Sequence, residues 1–135
     1  MTVNNISGQQ ITYDLIKKSL DASSTRADVI SNNIANINTA GYKRRYVTFE
    51  DTLKQSLDNI TMKKDNSLHM DDGNSFGAIS VKEDSSSSMK VDGNNVDIDS
   101  EMANQAQNTL MYQALTSQAS SRISMRRYVI TGGGN

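Results

Sequence analysis

Cysteine, proline and tryptophan are all missing from the 135 residues, and phenylalanine occurs only twice. The lack of cysteine excludes disulfide scaffolds, thiolate metal sites and cysteine nucleophiles. Without proline, every helix end has to be made by other residues. Histidine is nearly absent as well. His69 stands alone beside Asp71 and Asp72, with no second histidine to complete a zinc site, and reads as a solvated loop residue. No apolar run approaches the roughly 18 residues that a membrane span needs. The first residues hold no basic-then-apolar stretch with a small-residue cleavage site, so no ordinary signal peptide is expected. A net charge of -1 gives no electrostatic footprint for nucleic acid. Phosphate-binding glycine loops, nucleophile elbows and H-E-x-x-H motifs are missing too. These absences lead us to expect no catalytic residue, cofactor, metal or small-molecule substrate. Composition by itself would place the chain in the cytoplasm.

What apolar content there is, 36% of the residues, is low for a self-sufficient core. Such a chain either stays partly disordered alone or completes its core with neighbouring copies. The apolar residues are not scattered. Ile16, Leu20, Ala27, Ile30, Ile34 and Ile37 recur at helical spacing, with Ser23 in the missing heptad place, and predict a helix over residues 9–39. Ile11, Leu15, Ala22 and Val29 form a second stripe, so this helix is expected to touch more than one partner. Its end is rich in amides: Asn32, Asn33, Asn36 and Asn38. Asparagine is a poor helix former, which points to hydrogen bonding with other chains. Gly41 supplies a left-handed stop, and Lys43, Arg44 and Arg45 suit the negative end of the helix dipole.

The middle of the chain is polar. Tyr46-Val47-Thr48-Phe49 is β-prone, a helical piece follows over residues 50–57, and residues 78–82 and 88–91 are candidates for a hairpin. Turn signals and a serine run fill the rest. Asp92, Asn94, Asp97, Asp99 and Glu101 resemble a calcium loop only superficially. Val96 takes the fifth place and the sixth-place glycine is missing, so helix capping is the better reading. From Asp97 or Asp99 a second helix is predicted to run to Val129. Ala103, Ala106, Leu110, Met111, Ala114, Leu115, Met125 and Val129 give it a broad apolar face, suited to burial among several helices.

Ser31-Asn32-Asn33-Ile34-Ala35-Asn36, then Thr39, then Gly41-Tyr42-Lys43, resembles the signature that closes the N-terminal helix of bacterial flagellar rod and hook proteins. Ala40 stands where that family usually has proline, which softens the helix stop. Residues 93–102, Tyr112-Gln113-Ala114-Leu115-Thr116 and the basic end at 122–127 are similar to the proximal-rod members of the basal-body rod family. The resemblance implies a mainly α fold whose long N- and C-terminal helices pair as a coiled-coil-like hairpin around a short polar, β-containing middle. The corresponding divisions are 1–45, 46–95 and 96–135. It implies a structural subunit that assembles helically, transmits torque and lines the export channel. Its partners would be further copies, other rod proteins, the junction with the MS ring at the rod base, and the flagellar type III export gate. Its place would be the basal-body rod, reached without a cleaved signal peptide. On this reading Ile30, Ile34, Asn36, Ile37, Ala106, Leu110, Leu115 and Met125 form the assembly interface. Phe49 and Leu53, four residues apart, match segments of export substrates that dock on the gate, and read equally as an ordinary amphipathic turn packing against the rod. The competing reading is a soluble coiled-coil adaptor or export chaperone.

Overall fold

The computed structural model describes residues 3–51, 53–54, 77–86 and 91–132. Two helices of 33 residues dominate it, α1 at Val3–Ala35 and α2 at Ile98–Ile130. They run antiparallel, and three side-chain rungs fix the direction. Tyr13 lies 4.9 Å from the Arg126 guanidinium, Ser23 bonds Asn108, and Asn33 bonds Glu101. A step up α1 is matched by a step back along α2. The helical hairpin expected from the sequence is therefore the fold.

Helix α1 starts and ends earlier than its periodicity predicts. The end is set by backbone geometry rather than by glycine. Beyond Ala35 the chain tightens, with the Asn36 N–H shared between the Asn32 and Asn33 carbonyls and the Ile37 N–H donating to Ile34 at 3.3 Å. Gly41 does adopt the left-handed region, at φ 71°, but six residues past the helix. There its N–H donates to the Asp92 carbonyl at 2.8 Å. Gly93, at φ 82°, approaches so closely that a Cβ on it would meet the Gly41 Cα at 3.7 Å.

After this turn the chain forms β1 (Arg45–Thr48), which pairs with β2 (Ser80–Glu83) in an antiparallel ladder running from Arg45 opposite Glu83 to Thr48 opposite Ser80. Among the described residues the partner of β2 is β1, and the expected hairpin of residues 78–82 with 88–91 falls partly outside the described residues. Val47 and Phe49 are buried and anchor β1 and the residue after it against α1. Val91 lies in an exposed turn. Residues 88–90 fall outside the described residues, as do His69 and most of the middle segment. Glu50, Asp51, Leu53 and Lys54 are helical as expected, and residues 55–57 fall outside. Asp97 caps α2 as read from the sequence. Its carboxylate accepts from the Asp99 N–H at 3.1 Å and the Ser100 hydroxyl at 3.0 Å. Among the described residues the buried apolar core is small: Ile16, Ala22, Val29, Ile30, Val47, Phe49 and Val96.

Candidate assembly site

Where the two helices and the sheet meet, the contact is polar and buried. Glu101, in the first turn of α2, has no solvent exposure. Its Oε1 accepts from the Arg44 Nε at 2.5 Å, and its Oε2 accepts from the Asn33 amide at 2.9 Å. Asn33, equally buried, spends its whole amide here. The amide nitrogen also donates to the Arg45 carbonyl at 2.7 Å, while the amide oxygen accepts from the Arg45 N–H at 3.0 Å and the Tyr42 hydroxyl at 3.2 Å. The signature asparagine therefore ties α1, β1 and α2 of one chain together. Composition points the asparagine amides at other chains, and Asn33 corrects that expectation by bonding within its own chain.

Asn94 and Asn95 complete the junction. The buried Asn94 amide donates to the carbonyls of Asn36, Ile37 and Thr39 at 2.9, 3.1 and 2.9 Å. It thereby fastens the turn beyond the end of α1, where the Asn36 and Thr39 carbonyls also accept from the Thr39 and Tyr42 N–H groups at 3.0 and 3.2 Å. Its oxygen accepts from the Val96 N–H at 2.8 Å. Asn95 accepts from the Arg44 N–H at 2.7 Å and donates to the Asp84 carbonyl at 2.9 Å. Asp84 is held below the ordinary carboxylate range by the Ser86 N–H and hydroxyl. Lys43, Arg44 and Arg45 are expected from the sequence at the negative end of the helix dipole. Arg44 finds its acids, Glu101 and Asp84, within its own chain.

A second polar rung lies further along the hairpin. The Ser23 hydroxyl donates to the Asn108 amide oxygen at 2.9 Å, and the Asn108 nitrogen returns a bond to the Ser23 carbonyl at 2.9 Å. Arg26 reaches across from α1 to grip both oxygens of Glu50, at 2.8 and 2.9 Å. Partial burial pushes the Glu50 carboxyl up, but the Arg26 hydrogen bond and charge together with backbone hydrogen bonds from Glu50 and Phe49 outweigh it, leaving the group below its ordinary value.

The faces of α2 are sorted in an unusual way. The positions that escape full exposure are Glu101, Asn104, Asn108, Leu115, Ala119, Arg122 and Arg126, a seam at spacings of three, four and seven turned toward α1. Only Leu115 and Ala119 among them are apolar. The large apolar side chains lie elsewhere: Met102, Leu110, Met125, Tyr128 and Val129 are 58%, 68%, 62%, 66% and 72% exposed. In a lone subunit this is the reverse of ordinary amphipathicity. Exposed apolar surface on this scale marks a contact with something else.

The expected interface residues divide accordingly. Ile30 is buried in the core of its own chain, and Ile34 and Ile37 are half-buried. Asn36 is also half-buried, and its amide bonds back to the Asn32 carbonyl at 2.8 Å. Leu115 is half-buried against α1, whereas Ala106, Leu110 and Met125 face away from the hairpin. Phe49 is 3% exposed and Leu53 half-buried, joined by the Leu53 N–H donating to the Phe49 carbonyl at 2.8 Å. Sequence reasoning did not foresee the roles of Asn94, Asn95, Asn108 and Glu101. The available signal was Glu101 itself, the last charge before residues 102–121, which contain none.

Residues 19–43, which include most of the junction on α1, match the family model described as flagella basal body rod protein. Along nearly its whole length the chain is similar to the flagellar basal body rod protein FlgB of Bacillus subtilis. The two are 34% identical over 122 residues, covering 90% of this chain and 95% of the relative. The FlgB protein of Borrelia hermsii is 38% identical over 79% of this chain and 86% of its own. The flagellar hook protein FlgE of Treponema pallidum shares 58% identity, but over 33 residues, 24% of this chain and 7% of its own. The chain belongs to the family of bacterial flagellar basal-body rod proteins. Within that family it is FlgB-like, a structural subunit of the proximal rod, located in the flagellar basal body.

Proposed function

We propose that this subunit assembles through the outward faces of α2, transmits torque along the rod and contributes to the wall of the export channel. The observation that supports the reading is the inverted helix. The polar seam of α2 closes the hairpin on itself, and the apolar side chains are left for neighbours. Burying them stabilises an assembly at roughly 25 cal/mol per Å² of apolar surface, against the entropy of ordering each arriving subunit. Further copies, other rod proteins and the junction with the ring at the rod base supply those neighbours. An adaptor or chaperone would not need the FlgB-like similarity that spans both helices. Deleting the gene tests the reading: basal bodies are expected to lack rods and cells to lose motility, and normal rods would refute it.

Phe49 and Leu53 are proposed to serve twice. In the folded subunit Phe49 anchors β1, so docking on an export gate uses the chain before it folds, when the pair is accessible. Changing both to Ala is expected to hold the subunit in the cytoplasm. Fractionating cells whose rod growth is blocked downstream reads the outcome. Normal amounts of the double mutant outside the cytoplasm would end the export role.

A further inference from the structure

Charge is segregated along α2. Asp97, Asp99 and Glu101 stand at its start, Arg122, Arg126 and Arg127 at its end, and residues 102–121 carry no charge. Two different exposed surfaces lie at those two ends. The first is a ridge of Asp99, Met102, Ala103, Ala106 and Leu110, all exposed and at spacings that put them on one face. The second is an open groove of 770 Å³ lined by Gln118, Ser121, Arg122, Met125, Arg126 and Val129. Among the described residues neither Asp99 nor Arg122 makes an ion pair.

We infer that the ridge of one copy seats in the groove of the next, with the two α2 helices parallel and staggered. This rests on the rod-subunit reading and specifies its self-contact. Two complementarities favour a second copy as the occupant. Ala106 and Leu110 supply small and large apolar groups that pack against the exposed Met125 and Val129. Asp99 comes within one helical turn of Arg122, in reach of its long side chain. Matching Asp99–Leu110 to Gln118–Val129 requires an offset of 19 residues, roughly 28 Å at about 1.5 Å per residue. Because ridge and groove are different surfaces, the contact is heterologous and propagates instead of closing. An antiparallel pairing of the same two surfaces would also match charges, but would end at a two-fold dimer.

The cysteine-free sequence makes the test direct. The full chain carrying Ala106→Cys and Met125→Cys replaces the native subunit in cells, and assembled rods are oxidised and run on a non-reducing gel. A ladder of dimers, trimers and higher species is expected, with each single-cysteine variant giving none. A product that stops at the dimer overturns the staggered arrangement. No cross-link in cells that swim under reducing conditions overturns the contact while leaving the rod reading intact. If the double-cysteine strain does not swim, a charge exchange decides. Asp99→Arg and Arg122→Asp alone are each expected to cut rod number about tenfold, and together to restore it. Were both defects merely structural, the double variant would be worse than either single one, and that result also overturns the inference.

Discussion

Glu101 is a carboxylate with no exposure, and its burial is tolerable only because Arg44 and Asn33 meet both of its oxygens. Removing one partner of a buried pair costs far more than the pair contributes net, since the other group is left without compensation. Arg44 keeps a quarter of its side chain in solvent, which puts the loss at the lower end of that range. Glu101→Ala is expected to lower unfolding free energy by about 3 kcal/mol in urea titrations, and Glu101→Gln by less. An unchanged midpoint for Glu101→Ala would show that the junction does not hold the helices. Asn94 offers a sharper contrast. Its amide nitrogen faces three carbonyl oxygens, so Asn94→Asp, nearly the same shape, presents an acceptor to acceptors. It is expected to destabilise more than Asn94→Ala, which costs roughly 1–3 kcal/mol through the loss of these side-chain hydrogen bonds. The opposite order of melting temperatures would contradict this role.

At the scale of elements, the helices are joined by polar rungs more than by an apolar seam, and such rungs specify register better than they add stability. The helical turn after β1 is fastened the same way, by Arg26 to Glu50. The Glu50 carboxyl titrates below its ordinary value in the folded chain. The contact therefore contributes stability above the unfolded value of 4.5 that is lost as pH falls through the folded one. More than half of the Glu50 side chain is exposed, so the contribution is below about 1 kcal/mol. The stability difference between the native chain and Arg26→Gln is expected to be constant at neutral pH and to shrink in acid. A difference that grew on acidification would contradict the pairing. This architecture was only partly legible beforehand. The two helices, the Asp97 cap and β1 followed from periodicity and capping chemistry, which are local. The partner of β2 and the Asn33–Glu101 junction depend on residues 32 to 68 apart in the chain. No local signal reports such contacts. The apolar face of α2 was read correctly as a feature, yet periodicity alone does not say whether such a face turns inward or outward. Here it turns outward.

The whole molecule is thus a hairpin closed firmly at one end and open along its outer side. Hydrogen exchange on the dilute subunit is expected to show strongest protection around Asn33, Val96 and Glu101, and weak protection toward Ile130. Uniform protection along both helices would mean that the free hairpin is complete without neighbours. The central claim is that α2 holds its apolar surface in reserve for the rod, and Leu110, 68% exposed in the subunit, tests it most directly. Leu110→Asp places a charge in water in the free chain but in a buried contact in the assembly, where an unpaired carboxylate costs several kcal/mol. The account predicts that the purified variant melts within a few degrees of the native chain, while cells complemented with it lack rods and do not swim. Motile cells with normal basal bodies would contradict it.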